Sequence, residues 1–215
     1  MSWKNAPINF GVKALKDADK FTKQTCSCKE PNREDIIKAY RLYKAIRNVC
    51  VLHQLDAITI QCFGLIPTTG TTGCLALALL NDEGIIAGCE GDLQTLFTLM
   101  AVKAITGQTG FMCNPSQIDS CANTMLLAHC TIGLKQTTNY TIRTHFESES
   151  GVAIQGTLPA GEFTLVKCGG SKLDEYFVSS AKLIENTNFN NVCRTQVRLQ
   201  LHESTSYFLN NPIGN

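Results

Sequence analysis

The chain has 215 residues, a formal net charge of +1 and only 17% charged residues. That balance excludes a broad basic face for nucleic acid or for an anionic membrane surface. No apolar run approaches the roughly 18 residues of a membrane-spanning helix, and the N-terminus shows no secretory apolar core.

Residues 1–32 lack periodicity and read as an irregular segment. Over 33–53, Ile36, Ile37, Tyr40, Tyr43, Ile46 and Val49 recur at three- and four-residue spacing. This predicts a helix capped by Asn32. AITIQCF (57–63) reads as a short buried strand and PTTGTTG (67–73) as a loop. CLALALLNDEG (74–84) reads as a helix stopped by Gly84. IIAGCE (85–90) reads as a second buried strand, and 91–107 as a third helix closed by a glycine. TGFMCN (109–114) and NTMLLAHCTI (123–132) read as further strands. Strand and helix alternate, so an α/β domain with a largely parallel sheet is expected over 33–134.

The pattern changes near residue 135. YTIRTHFE, GVAIQGTL, EFTLVKCG, YFVSSAKLIE, VCRTQVRLQLH and YFL follow at short intervals, separated by turns rich in Gly, Pro and Asn. An antiparallel, barrel-like β domain is expected over 135–215.

The 11 cysteines are an odd number, and Cys62, Cys74, Cys89, Cys130 and Cys168 sit in apolar stretches. They read as reduced, buried thiols, which suits a cytoplasmic protein. Cys26 and Cys28 form a C-x-C pair without the second half of a zinc site.

Four constellations carry candidate chemistry. Glu90 and Asp92 lie between an apolar strand and a helix. Two carboxylates there can hold a hard cation or move a proton, or Asp92 can simply cap the helix. Asn114 precedes Pro115 in FMCNPSQID and either binds a ligand or makes a turn. His129 ends LLAH, and His145 sits beside Arg143 and Glu147 in RTHFESES. Each imidazole is either a ligand or a hydrogen-bonded structural residue, whereas His53 and His202 read as structural. PTTGTTG lacks the patterns of ATP and dinucleotide loops.

GCLALALLNDEGIIAGCEGDLQTLFTLM, FMCNPSQID, LLAHCTIGL, RTHFESESGVAIQG, LPAGEFTLVK, NVCRTQV and YFLNNPIGN, in that order, resemble the L-fucose isomerase-like family, related to fucose and arabinose isomerases. The resemblance covers residues 55–215 and corresponds to the family's central and C-terminal domains. Family members carry further N-terminal sequence and a His-His pair beyond the last motif. The resemblance implies aldose–ketose isomerisation of a monosaccharide, assisted by Mn²⁺. It carries the metal-ligand roles onto Glu90, Asn114 and His129, where Asn114 replaces a family carboxylate. It leaves Glu90 and Asp92 as candidate catalytic carboxylates and His145 as a candidate substrate contact. The low charged fraction and the missing domain predict a homo-oligomer or a second chain supplying that domain. The alternative is a non-catalytic sugar-binding or assembly module that kept the fold.

Overall fold

The computed structural model describes residues 16–21, 27–211 and 213. Helix α1 (Arg33–Leu52) begins as its sequence predicts: the Asn32 side chain accepts from the Glu34 and Asp35 amides, and Asp35 accepts from the Asn32 amide. This capping box satisfies amides that the first turn cannot pair internally. Strand β1 (Ala57–Thr59), α2 (Cys62–Thr69), α3 (Cys74–Glu83), β2 (Ile86–Gly88) and α4 (Leu93–Thr106) follow. β1 and β2 pair in parallel, with Ile58 opposite Ala87.

Helix α3 is the centre of the molecule. Leu75, Ala76, Leu77, Ala78 and Leu80 have no exposed surface, as expected for a helix apolar all round. One side packs with Ile36, Ala39, Met125, Ile142 and Ile154, and the other with Tyr43, Ile86, Cys89, Leu99 and Met112. Asn81, the polar exception, is buried. Its amide donates to the Ala87 carbonyl and accepts from the Ala87 N–H, each at 2.9 Å. It thereby pairs the free edge of β2, standing in for a neighbouring strand.

The remaining strands are β3 (Asn114–Asp119), β4 (Thr124–His129), β5 (Asn139–Arg143), β6 (Ala153–Thr157), β7 (Glu162–Gly169), β8 (Glu175–Asn186) and β9 (Thr195–Leu201). Five form an antiparallel sheet in the order β3-β4-β9-β8-β7, and β5 pairs with β6. The sheet is not a closed barrel. It draws β3 and β4 from the region where the alternation suggested parallel pairing, because a tight turn around Asn123 folds them into a hairpin.

Several local expectations change. Residues 109–113 form no strand; pairing starts at Asn114, one residue before Pro115. Proline lacks a ladder donor and is tolerated on this edge strand, where the register shifts between Pro115 and Gln117. Pro67, Thr68 and Thr69 extend α2 rather than a loop. Tyr207–Leu209 belong to helix α5 (Thr205–Asn210), capped by Ser204, not to a strand. Residues 16–21 are helical; Cys26 of the C-x-C pair lies outside the described residues, and Cys28 is exposed.

Residues 27–29 lie along β5, with Lys29 donating to the Ile142 carbonyl at 3.0 Å. This brings Glu30 against Arg143, whose Nε lies 2.7 Å and 2.8 Å from the two carboxylate oxygens. The guanidinium holds the Glu30 carboxyl at about 2, well below its ordinary value. A depressed folded-state value means stability present above the unfolded value of about 4.3 and lost as pH falls toward 2. Glu30 is partly exposed, so solvent screening leaves about 1 kcal/mol of this. Urea unfolding should therefore separate Glu30→Gln from the parent by about that amount at pH 7 and by nothing near pH 2.

Among the described residues, no single helix is long and apolar enough to cross a membrane. Their ten cysteines form no disulfide.

Candidate functional site

Strand β2 delivers the chain to Cys89, after which Glu90 and Gly91 both take positive φ, 64° and 71°. The Asp92 amide closes the turn on the Cys89 carbonyl at 3.2 Å. Two consecutive left-handed residues define a type I′ turn, where Asn-Gly is the usual pair. Glu at the first position costs of order 1 kcal/mol or more, and such strain is held where the surrounding structure fixes a side chain. Here it aims the Glu90 carboxylate away from β2 and toward the β3–β4 hairpin.

The hairpin meets it with two side chains. Asn114 opens β3 opposite Ala128, and His129 closes β4, so antiparallel register places both at the same end. The Asn114 amide donates to the two Glu90 oxygens at 3.1 and 3.3 Å. His129 Nε2 lies 3.6 Å from Glu90 Oε1. The imidazole is buried, while the Glu90 side chain is 41% exposed, so the carboxylate faces solvent and the ring supports it from behind. The neighbouring His129 lowers the Glu90 pKa, against the opposing effect of burial. His129 Nδ1 is 2.9 Å from Thr131 Oγ1. When Nδ1 carries its proton toward the Thr131 hydroxyl, Nε2 is free to bind a cation beside the Glu90 carboxylate.

Asp92 is placed differently. Its carboxylate accepts from the Thr95 amide at 2.8 Å and from the Thr95 hydroxyl, and lies 3.9 Å from Lys167 Nζ. It is the N-cap of α4, and its described partners do not include Glu90, Asn114 or His129. Asp92 and Asn114 both line a cleft of about 1200 Å³ between α4 and the five-stranded sheet, walled by Leu99, Met125, Leu127, Leu165 and Leu199. His145 is buried in the loop after β5, with Nδ1 3.0 Å from Ser148 Oγ and its ring edge-on to Phe63. Its ring lies with Cys74 and Cys130 rather than with the Glu90 carboxylate.

The structure therefore gathers Glu90, Asn114 and His129 and leaves Asp92 and His145 to other contacts. Thr131 was missed in the sequence. Its signal was there: two residues past His129 along an extended chain, it can share a face with the imidazole.

The donor set tests whether a manganese-class ion suits these residues. One carboxylate, one imidazole and one amide that can turn its oxygen inward are hard or borderline donors, with room left for solvent or substrate oxygens. Glu90 and His129 fit that role. Asn114 supplies a neutral oxygen where a second charge would bind more strongly.

No family profile matches the chain. Over 135 residues, 60% of this chain, it is 27% identical to the sulfoquinovose isomerase of Clostridium sp. (strain MSTE9). The match spans 30% of that protein's length. The chain is thus distantly similar, over part of its length, to a sugar isomerase.

Proposed function

We propose that this chain is a sugar isomerase-related protein of carbohydrate metabolism whose Glu90–Asn114–His129 site takes an open-chain monosaccharide together with a divalent cation of the manganese class. The observation that carries the reading is the meeting of these three side chains from separate segments, with Glu90 held there in a left-handed turn. The partial similarity to a sugar isomerase supports the substrate class. Glu90 and His129 would hold the ion, with the Asn114 amide oxygen as a weaker third ligand. A bound ion would supply charge to polarise adjacent sugar oxygens.

Within the site, Glu90 is the group able to move a proton. It is the one carboxylate of the three, its pKa is lowered so that it stands ionised, and it is open to the solvent side. It would accept a proton from the carbon next to the sugar carbonyl and return it to the carbonyl carbon, while the hydroxyl proton on the first carbon's oxygen passes to the carbonyl oxygen, by way of the enediol. His129, oriented by Thr131, fixes the carboxylate. The reading also places the protein in the cytoplasm and gives it a second copy or a second chain as partner. Leu93, Phe97 and Met100 on α4 are 70%, 41% and 42% exposed at helical spacing, which supports such a contact.

A second reading, binding without turnover, has its own support. Asn114 cannot act as a base, and Asp92 is committed to its helix cap. One experiment separates the two. The protein is incubated with Mn²⁺ and a panel of aldoses in D₂O, and deuterium at the carbon beside the carbonyl is followed by NMR. The isomerase reading expects exchange that Glu90→Gln abolishes. Saturable sugar binding without exchange would select the binding module, and neither binding nor exchange would overturn both.

A further inference from the structure

A second cluster gathers side chains from four segments distant in sequence. Cys74 opens α3, Cys130 follows β4, His145 lies between β5 and β6, and Cys193 precedes β9. The sulfurs of Cys74 and Cys130 and a ring nitrogen of His145 all lie within 4.8 Å of one another, and all three residues are buried. Cys193 packs against them.

The fold holds these segments together independently of the thiols. Thr72 Oγ1, just ahead of α3, pairs with both the carbonyl and the amide of Val152 at 3.2 and 3.3 Å. Gly151 has φ 64°, and a Cβ there would come within 2.5 Å of the Thr72 backbone nitrogen. Only glycine lets the His145 loop approach the start of α3 so closely.

We propose that Cys74, Cys130, Cys193 and His145 form a binding site for one thiophilic divalent cation of the zinc class. Three sulfurs and one imidazole nitrogen make up a familiar ligand set of structural zinc. A tetrahedral zinc with bonds of about 2.3 Å to sulfur separates its sulfurs by roughly 3.8 Å. The ligand atoms of Cys74, Cys130 and His145, already within 4.8 Å of one another, reach that spacing by small side-chain rotations, and Cys193, packed against the two cysteines, would turn in as the fourth ligand. The outer contacts also suit a metal. The Arg194 amide donates to Cys130 Sγ at 3.4 Å, which favours a thiolate. The His145 ring is oriented by Ser148 at Nδ1. Thiols serving only as small hydrophobes would not need to point at one another and at an imidazole. The soft donors set this site apart from the oxygen-rich Glu90 site. Binding releases the thiol protons to solvent and involves no change of oxidation state.

The site joins the start of α3 to the β-rich half of the molecule, so its role is that of a staple. The test uses the reduced full chain and Co²⁺ as the probe. One equivalent per chain should bind, with a thiolate-to-cobalt charge-transfer band that Zn²⁺ abolishes by displacement. Cys74→Ser and Cys130→Ser should lose the band, and Cys121→Ser, at an exposed thiol elsewhere, should keep it. His145→Gln leaves every thiol in place and should lower Co²⁺ affinity at least about tenfold. The Glu90 site uses no thiol as a proposed ligand, so loss of the band in Cys74→Ser and Cys130→Ser assigns it to the cysteine cluster. Absence of the band in the parent chain would overturn the proposal, as would its persistence unchanged in Cys74→Ser and Cys130→Ser or an unchanged affinity in His145→Gln.

Discussion

Glu90→Gln should weaken Mn²⁺ binding at least about 100-fold in calorimetric titration, since even outer-shell partners of a metal ligand are worth 10- to 100-fold. Glu90 supplies the one charged oxygen of the Glu90–Asn114–His129 group. Its amide isostere keeps the shape, the turn and the contact with Asn114 but removes the negative charge that offsets the cost of stripping water from the ion. The opposite change has the opposite sign. Asn114→Asp puts a second carboxylate at the same reach and should tighten binding about tenfold or more, worth about 1.4 kcal/mol. In the metal-free protein, that same variant places two like charges together, so it should raise the pKa of the pair.

Asn81→Leu should destabilise the protein by about 2–4 kcal/mol in urea unfolding. The side chain is buried and makes both of its 2.9 Å hydrogen bonds to the backbone of Ala87. Leucine would leave one N–H and one carbonyl without their side-chain partner, and each costs about 1–3 kcal/mol. Asn81→Asp separates the two contacts: it keeps an acceptor for the Ala87 N–H, loses the donor to the carbonyl and buries a charge, so it should be at least as harmful.

Much of the local structure could be read from the residues. The spacing from Ile36 to Val49 and the Asn32 cap gave α1, and Asp92 is a helix cap in the structure, one of its two predicted roles. What misled was pairing, which is a non-local property. TGFMCN looked like a strand because it is short and apolar, yet its residues find no ladder partner, and Met112 instead accepts from the Cys89 amide through its sulfur. YFL looked like a closing strand until Ser204 nucleated a helix at Thr205. The family resemblance sets Asn114 and His129 beside Glu90 as ligands, and what brings them there is the antiparallel register that sets the start of β3 beside the end of β4. The left-handed Glu90 had no visible signal beyond the following glycine. The thiol cluster was not legible at all, since residues 74, 130, 145 and 193 have no metal-site spacing and come together only through folding.

The convergence of Glu90, Asn114 and His129 into one cation site is tested most directly by counting free Mn²⁺. Electron paramagnetic resonance reports hexaaqua manganese and loses its signal on binding. The parent chain, titrated beside Glu90→Gln at matched concentration, should remove one Mn²⁺ per chain from solution, and the variant should leave the ion free. If the parent leaves all Mn²⁺ free, or if the two proteins take up the ion equally, the three side chains are not a cation site and the account fails at its centre.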